Sequence, residues 1–329
     1  MIAGLGLLLP VGAAALVYAD LNGNLKTSDI NSALRNDRPG RQGNGSQNIL
    51  LLGSDSRSGS NQMIVPGDIG GTARSDVMMV VHISKGSGKA TVVSIPRDTL
   101  IDRPECKGFE GSEFKSLRRV MINSAFQFGG PACAVKAVEG MTGIRMDHYV
   151  GIDFYGLKEI VDALGGVPMT VGEPIHDRAT GLNLAAGESD LNGNQAVALV
   201  RTRFSIGDGS DLGRIGLQQK FFRAVIDEIS KQDLLASPSR FYRVAATATS
   251  ALTTDSDIGS IASLTRFARS LRHVSAKDTD TAIMPVHPDE EDKNRVVADE
   301  RLAPSFWKAI KEDREIPASV RKPVSAYVG

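Results

Sequence analysis

Four short stretches of this 329-residue chain set arginine beside aspartate at the ends of apolar runs. They are Gly53-Ser54-Asp55-Ser56-Arg57, Arg74-Ser75-Asp76, Pro96-Arg97-Asp98-Thr99, and Arg201-Thr202-Arg203 followed by Asp211-Leu212-Gly213-Arg214 and Gln218. Guanidinium forks grip phosphate or carboxylate oxygens in pairs, and aspartates favour hard, oxygen-seeking cations such as Mg²⁺. Together these residue types suit a polyphosphate bound with such a cation. Any one pair alone reads equally well as a surface ion pair or a helix cap. The five histidines show no metal-ligand spacing, and there is neither a Gly-x-Ser-x-Gly elbow nor a Walker-type loop.

The apolar runs behind these stretches define the elements that must position them. Asn48–Leu52, Val77–Ile83 and Thr91–Ile95 are unbroken runs, which predict strands covered on both faces. Met169–Val171 and Thr281–Met284 read as further short strands. A 3.6-residue period predicts helices over Ala134–Met141, Phe154–Leu164 and Gly213–Ile229, and over 240–250, 258–272 and 304–312. Asp211 stands at a predicted helix start, and Arg214 and Gln218 share one face four residues apart. With Arg201 and Arg203 on the preceding loop or strand, several donors would face one anion at the positive end of that helix. Alternating strands and helices predict an α/β fold: a single layered α-β-α domain with a central mixed sheet.

Composition narrows the function. Thirty-eight basic residues balance thirty-eight acidic ones, so a polyanion-coating role, nucleic acid included, is disfavoured. Ile2 to Ala19 carries no charged side chain, and about 27 Å of helix spans a hydrocarbon core. Residues 1–19 are therefore predicted to be a transmembrane helix, with a cleaved secretory signal as the alternative. Either places the rest outside the cytoplasm, although Lys26, Arg35, Arg38 and Arg41 after the span run against the positive-inside rule. The polar run 20–46 is expected to be a flexible linker, 47–315 the catalytic domain and 316–329 a C-terminal tail. In an oxidising compartment Cys106 and Cys133 read as a disulfide, with two separate thiols as the alternative.

Taken together, these segments resemble the LytR-CpsA-Psr family of bacterial envelope proteins. The resemblance runs through NILLLGSDSR at 48–57, RSDVMMVVHI at 74–83, VVSIPRDT at 92–99 and INSAFQFGG at 122–130, and on to RTRF at 201–204 and DLGRIGLQQ at 211–219. It implies a membrane-anchored, extracytoplasmic, Mg²⁺-assisted phosphotransferase. Such an enzyme would move a glycopolymer (teichoic acid, arabinogalactan or capsule) from a polyprenyl-diphosphate carrier to a peptidoglycan hydroxyl. The resemblance also implies diphosphate contacts from Arg74, Arg97, Arg201, Arg203, Arg214 and Gln218, with Arg97, Asp76 and Arg203 catalytic. Asp55 and Asp76, with Asp211 in support, become the Mg²⁺ ligands, and Asp98 a supporting group. One departure is Met121, where the family often has Lys; Arg118 or Arg119 would have to reach the same phosphate instead. A pyrophosphatase acting on prenyl or nucleotide diphosphates would use the same residues. A non-enzymatic transcriptional attenuator finds no helix-turn-helix signal here. The lipid would need an apolar groove, expected between the helix at 154–164 and the strands beneath it.

Overall fold

The computed structural model describes residues 5–34, 37–55, 75–86, 88–108, 112–202, 211–232, 237–271 and 273–321, with the side chains of 5–14, 211 and 238 outside that description. Seven strands form one mixed sheet: β1 (Lys26–Ser28), β2 (Gln47–Ser54), β3 (Ser75–Ile83), β4 (Ala90–Ser94), β5 (His148–Asp153), β6 (Leu252–Asp255) and β7 (Thr279–Ile283). Their order across the sheet is β1-β6-β5-β2-β3-β4-β7. The meander β2-β3-β4 is antiparallel, whereas β5 runs parallel to β2 and β7 parallel to β4. This is the mixed α/β sheet predicted from the sequence.

Side-chain alternation explains why the central runs are continuously apolar. Leu50 and Leu52 of β2 and Met78 and Val80 of β3 face a core shared with helices α3 (Asn123–Thr142) and α9 (Ala303–Lys311). The intervening Leu51, Val77 and Met79 face the opposite layer, which includes α4 (Phe154–Leu164), α5 (Gly193–Arg201) and α6 (Asp211–Lys231). Gln219 ties α6 to this second face: its amide donates to Ser94 Oγ (2.8 Å) and to the Ala282 carbonyl (2.7 Å). Both faces are covered, as continuous runs require.

Three expectations need correction. The run 20–46 is not a tether. A helix, Leu5–Asn24, extends past residue 19, β1 then adds an edge strand to the sheet, and Ile30 and Leu34 are buried in the core. Farther along, Arg38 forms a buried ion pair with Glu139 at 2.6 Å, both side chains 2% exposed or less. Scattered apolar residues in a polar background gave no period to read, yet each finds a site on the domain. The segment 316–329 is not wholly a tail either, because Ile316 and Val320 join the main core and Arg321 bonds Asp280. Third, Arg201 ends a helix rather than lying on a loop or strand. Asn192 and Gln195 form a capping box that starts α5.

Helix α3 also begins well before the predicted Ala134. Gly130 takes φ 66°, which an L-residue rarely adopts, so the helix breaks at Gly130-Pro131 and continues as a second segment. The break brings Cys133 against Cys106, and the two form a disulfide with Cα atoms 5.5 Å apart. Among the described residues no helix is long and apolar enough to cross a membrane.

Candidate active site at the end of the sheet

Antiparallel register builds the centre of the site. Met79 of β3 pairs with Ser94 of β4, so continuing three residues along each chain brings Asp76 opposite Arg97. Arg97 Nη1 donates to Asp76 Oδ1 at 2.5 Å. On the other side of β3 the register slips: Gly53 pairs with Val77 but Ser54 with Ser75, leaving Asp76 as the extra residue of a bulge. Bulges of this kind re-aim one side chain. Asp55 follows directly at the end of β2, beside that bulge.

Helix α6 arrives at the same point with its amino end. Arg214 in its first turn is 2% exposed, and its Nη2 lies 3.4 Å from the Asp76 carbonyl. Such a buried guanidinium at a helix amino end creates a positive, preformed anion site. One turn later Gln218 is buried and donates from Nε2 to the Val200 carbonyl at 2.8 Å, which fixes α6 against α5. Arg201, at the carboxyl end of α5, lies over the Phe154 ring at 5.5 Å.

Asp98 sits between two guanidinium groups, 3.5 Å from Arg97 Nε and 3.7 Å from Arg295 Nη1. It therefore orients Arg97 from behind. Arg295 is the residue that motif reading misses; it lies far along the chain in a polar loop with no period or capping pattern to single it out. Of the predicted residues, the structure gathers Arg97, Asp76, Arg214 and Asp98 into direct contact. Gln218 lines the cleft beside them, and Arg201 stands over Phe154, another residue of that cleft. Arg74 and Arg203 lie outside the described residues, and for Asp211 only its place at the start of α6 is described. Neither candidate substitute for the lysine at Met121 reaches this cluster: Arg118 pairs with Asp102 at 3.5 Å, and Arg119 with Asp289 and Glu291, both at 3.1 Å.

Beside the cluster, a small apolar cleft of about 90 Å³ opens between the sheet and the second helical layer. Leu51, Val77, Met79 and Ile152 form its floor, and Phe154 and Phe221 part of its roof. Gly53 lies in the floor, where a Cβ would stand 2.9 Å from Val77 Cβ. The cleft lies between the 154–164 helix and the strands, where a groove was expected. Guanidinium groups near an apolar cleft are compatible with an amphipathic molecule that has an anionic head and an apolar tail.

For a cation the donor set is small. Among the described residues no group of three or more His, Cys, Asp or Glu is placed to hold a metal ion. Asp55 and Asp76, which lie at the bulge, are the carboxylates that would be available to a divalent cation, and Asp76 is also paired with Arg97.

An arginine–aspartate cluster thus lies at the end of a mixed α/β sheet, beside a small apolar cleft. Residues 17–312 match the LytR_cpsA_psr family, and the chain belongs to that family. It is 36% identical over 200 residues to a probable cell wall biosynthesis protein, LcpB, of Corynebacterium glutamicum, covering 59% of this chain and 45% of that protein. It is 29% identical over 220 residues to the Enterococcus faecalis polyisoprenyl-teichoic acid–peptidoglycan teichoic acid transferase TagU, covering 67% and 66%. Among solved structures it resembles a LytR-Csp2A-Psr enzyme from Actinomyces oris, with a TM-score of 0.63, 26% identity and coverage of 87% and 96%. The chain thus spans about half of LcpB and two thirds of TagU.

Proposed function

We propose that this protein transfers a glycopolymer from a polyprenyl-diphosphate carrier to a peptidoglycan hydroxyl, forming a phosphodiester on the outer side of a membrane. The observation that carries this reading is the convergence of Arg97, Arg214 and Asp76 beside an apolar cleft. The name of TagU describes that class of transfer, and the disulfide suits an oxidising compartment. The uncharged stretch from Ile2 to Ala19 would serve as the anchor.

In this mechanism the prenyl chain lies in the cleft and the diphosphate at its mouth. Arg97 and Arg214 neutralise the phosphoryl oxygens, with Arg201 adding positive charge from the end of α5. The acceptor oxygen attacks the phosphorus bearing the glycan, and the bond from that phosphorus to the bridging oxygen breaks. Polyprenyl phosphate leaves with the bonding electrons. Asp76 takes the proton of the attacking hydroxyl, and Asp98 holds Arg97 in position. Mg²⁺ held by Asp55 and Asp76 would supply further charge neutralisation of the diphosphate. Little covalent work falls to the protein, so positioning and electrostatics supply the rate.

The test is transfer of a labelled glycopolymer from its prenyl-diphosphate carrier onto peptidoglycan. Arg97→Ala should lose on the order of 10²- to 10³-fold in rate. Arg97→Lys should recover little, because a point charge does not replace the fork. Wild-type turnover in Arg97→Ala would reject the site.

A further inference from the structure

A second groove, of about 530 Å³, adjoins the arginine–aspartate cluster through Arg295. The cleft lies over β5, β2 and β3, whereas the groove is built from segments that follow β4 and β7, the next strands towards the other edge. A hairpin of Leu100–Arg103 with Leu117–Met121, the first segment of α3 and the loop 289–295 form its walls. That loop is pinned to the site: Val296 N donates to the Asp98 carbonyl at 3.4 Å, and Arg295 reaches the Asp98 carboxylate. Two ion pairs, Arg295–Asp98 and Asp98–Arg97, therefore lead from the groove to the centre.

Its lining is built to be filled. Arg103 and Ser124 are 7% and 8% exposed, yet Arg103 Nε and Ser124 Oγ have no hydrogen-bond partner among the described residues. Buried polar atoms left so are costly, by about 1–3 kcal/mol each, unless a ligand or water satisfies them. Arg103 also lies against both the Phe114 and Phe128 rings at 5.9 and 5.7 Å, the two rings being in contact with each other at 6.1 Å, and Phe128 is 44% exposed. On the opposite wall Arg119 and Arg295 are balanced by Asp289, Glu291 and Asp292. An exposed ring beside balanced donors and acceptors suits a neutral polyhydroxylated chain, and the carboxylates disfavour a polyphosphate.

We propose that this groove holds the acceptor, a glycan strand of N-acetylated sugars, with one ring against Phe128 and a hydroxyl directed towards Arg97. The inference rests on the transferase reading above. In-line displacement supports it: attacking and leaving oxygens lie on opposite sides of phosphorus, so a leaving group in the cleft requires attack from the far side. In the strand order the groove adjoins β4 and β7, and the cleft lies over β5, β2 and β3, so the two approach Arg97 from different edges of the sheet.

The test titrates the full chain with a soluble tetrasaccharide of two N-acetylglucosamine–N-acetylmuramic acid repeats whose lactyl carboxyl groups are capped as amides, which keeps the strand neutral, by calorimetry, and needs no turnover. Phe128→Ala should weaken binding about tenfold, and Phe128→Tyr should retain it. Ser124→Ala, a small change beneath the ring, provides a second probe. In the transfer assay, Phe128→Ala should raise the KM for the acceptor while leaving the KM for the carrier unchanged. Tetrasaccharide affinity equal to wild type in both Phe128→Ala and Ser124→Ala would overturn the proposal. So would a rise in carrier KM alone, which would assign the groove to the donor's polymer. Failure of the wild type to cleave the carrier would refute the transferase reading separately, with tetrasaccharide binding still read on its own.

Discussion

At the level of single residues, the roles divide by what each side chain touches. Arg97 and Arg214 approach Asp76 from two elements, one through its carboxylate and one through its carbonyl. Asp76 thus combines a structural duty with the proposed proton transfer. Asp76→Asn preserves the shape and loses the charge. It should lower kcat by at least about 10²-fold with a small change in carrier KM, as measured by steady-state kinetics. A change confined to KM would instead make Asp76 a binding group. Asp76, Arg97, Asp98 and Arg214, which meet in the cluster, were legible in the sequence because Arg and Asp gather in four motifs. Arg295 was not: its partner Asp98 is nearly 200 positions earlier, and only the β4–loop contact brings them together.

At the level of elements, legibility followed periodicity. Helix Phe154–Leu164 has the bounds that its pattern predicts, with Asp153 capping through the Gly156 N–H at 2.7 Å. Helix α5 starts at the Asn192–Gln195 capping box and runs to Arg201, so this guanidinium is presented by a helix end and not by a loop. The Gly129-Gly130-Pro131 break disguised the first segment of α3 as a loop. Close approach makes one glycine critical: at Gly156 a Cβ would stand 2.8 Å from the Ala251 carbonyl of helix 238–251. Gly156→Ala should therefore cost about 1–3 kcal/mol, read as a lowered denaturant midpoint. The neighbouring strands β5 and β6 are locked by Asp255, which is fully buried. Burial pushes its pKa up, but hydrogen bonds from His148 and from the Tyr149 and Asp257 N–H groups outweigh that and hold it below the usual value. A depressed folded pKa contributes stability that is present above about pH 4 and is lost as pH falls through the folded value. Asp255→Asn should flatten the acid limb of stability against pH, measured by chemical denaturation from pH 3 to pH 7.

At the level of the whole molecule, distant segments close around the sheet. The buried Arg38–Glu139 pair fastens the segment after β1 to α3, and Glu139 also accepts from Met146 N at 2.8 Å. Removing one member strands a buried charge, so Glu139→Ala should destabilise by about 3–5 kcal/mol in denaturant titration. The Cys106–Cys133 disulfide closes a 27-residue separation that frames the second groove, and reducing it should cost roughly 3 kcal/mol, seen as a lower melting temperature in reductant. Such long-range closures are invisible to local patterning, which is why the run 20–46 read as a tether.

The central claim is that one lipid diphosphate bridges the arginine cluster and the apolar cleft. A structure of the protein crystallised with a short-chain prenyl diphosphate tests it directly. The account predicts phosphoryl oxygens within hydrogen-bond distance of Arg97 and Arg214, with the prenyl chain between Phe154 and the floor of β2 and β3. A diphosphate bound elsewhere, or a cleft left without the chain, would contradict it.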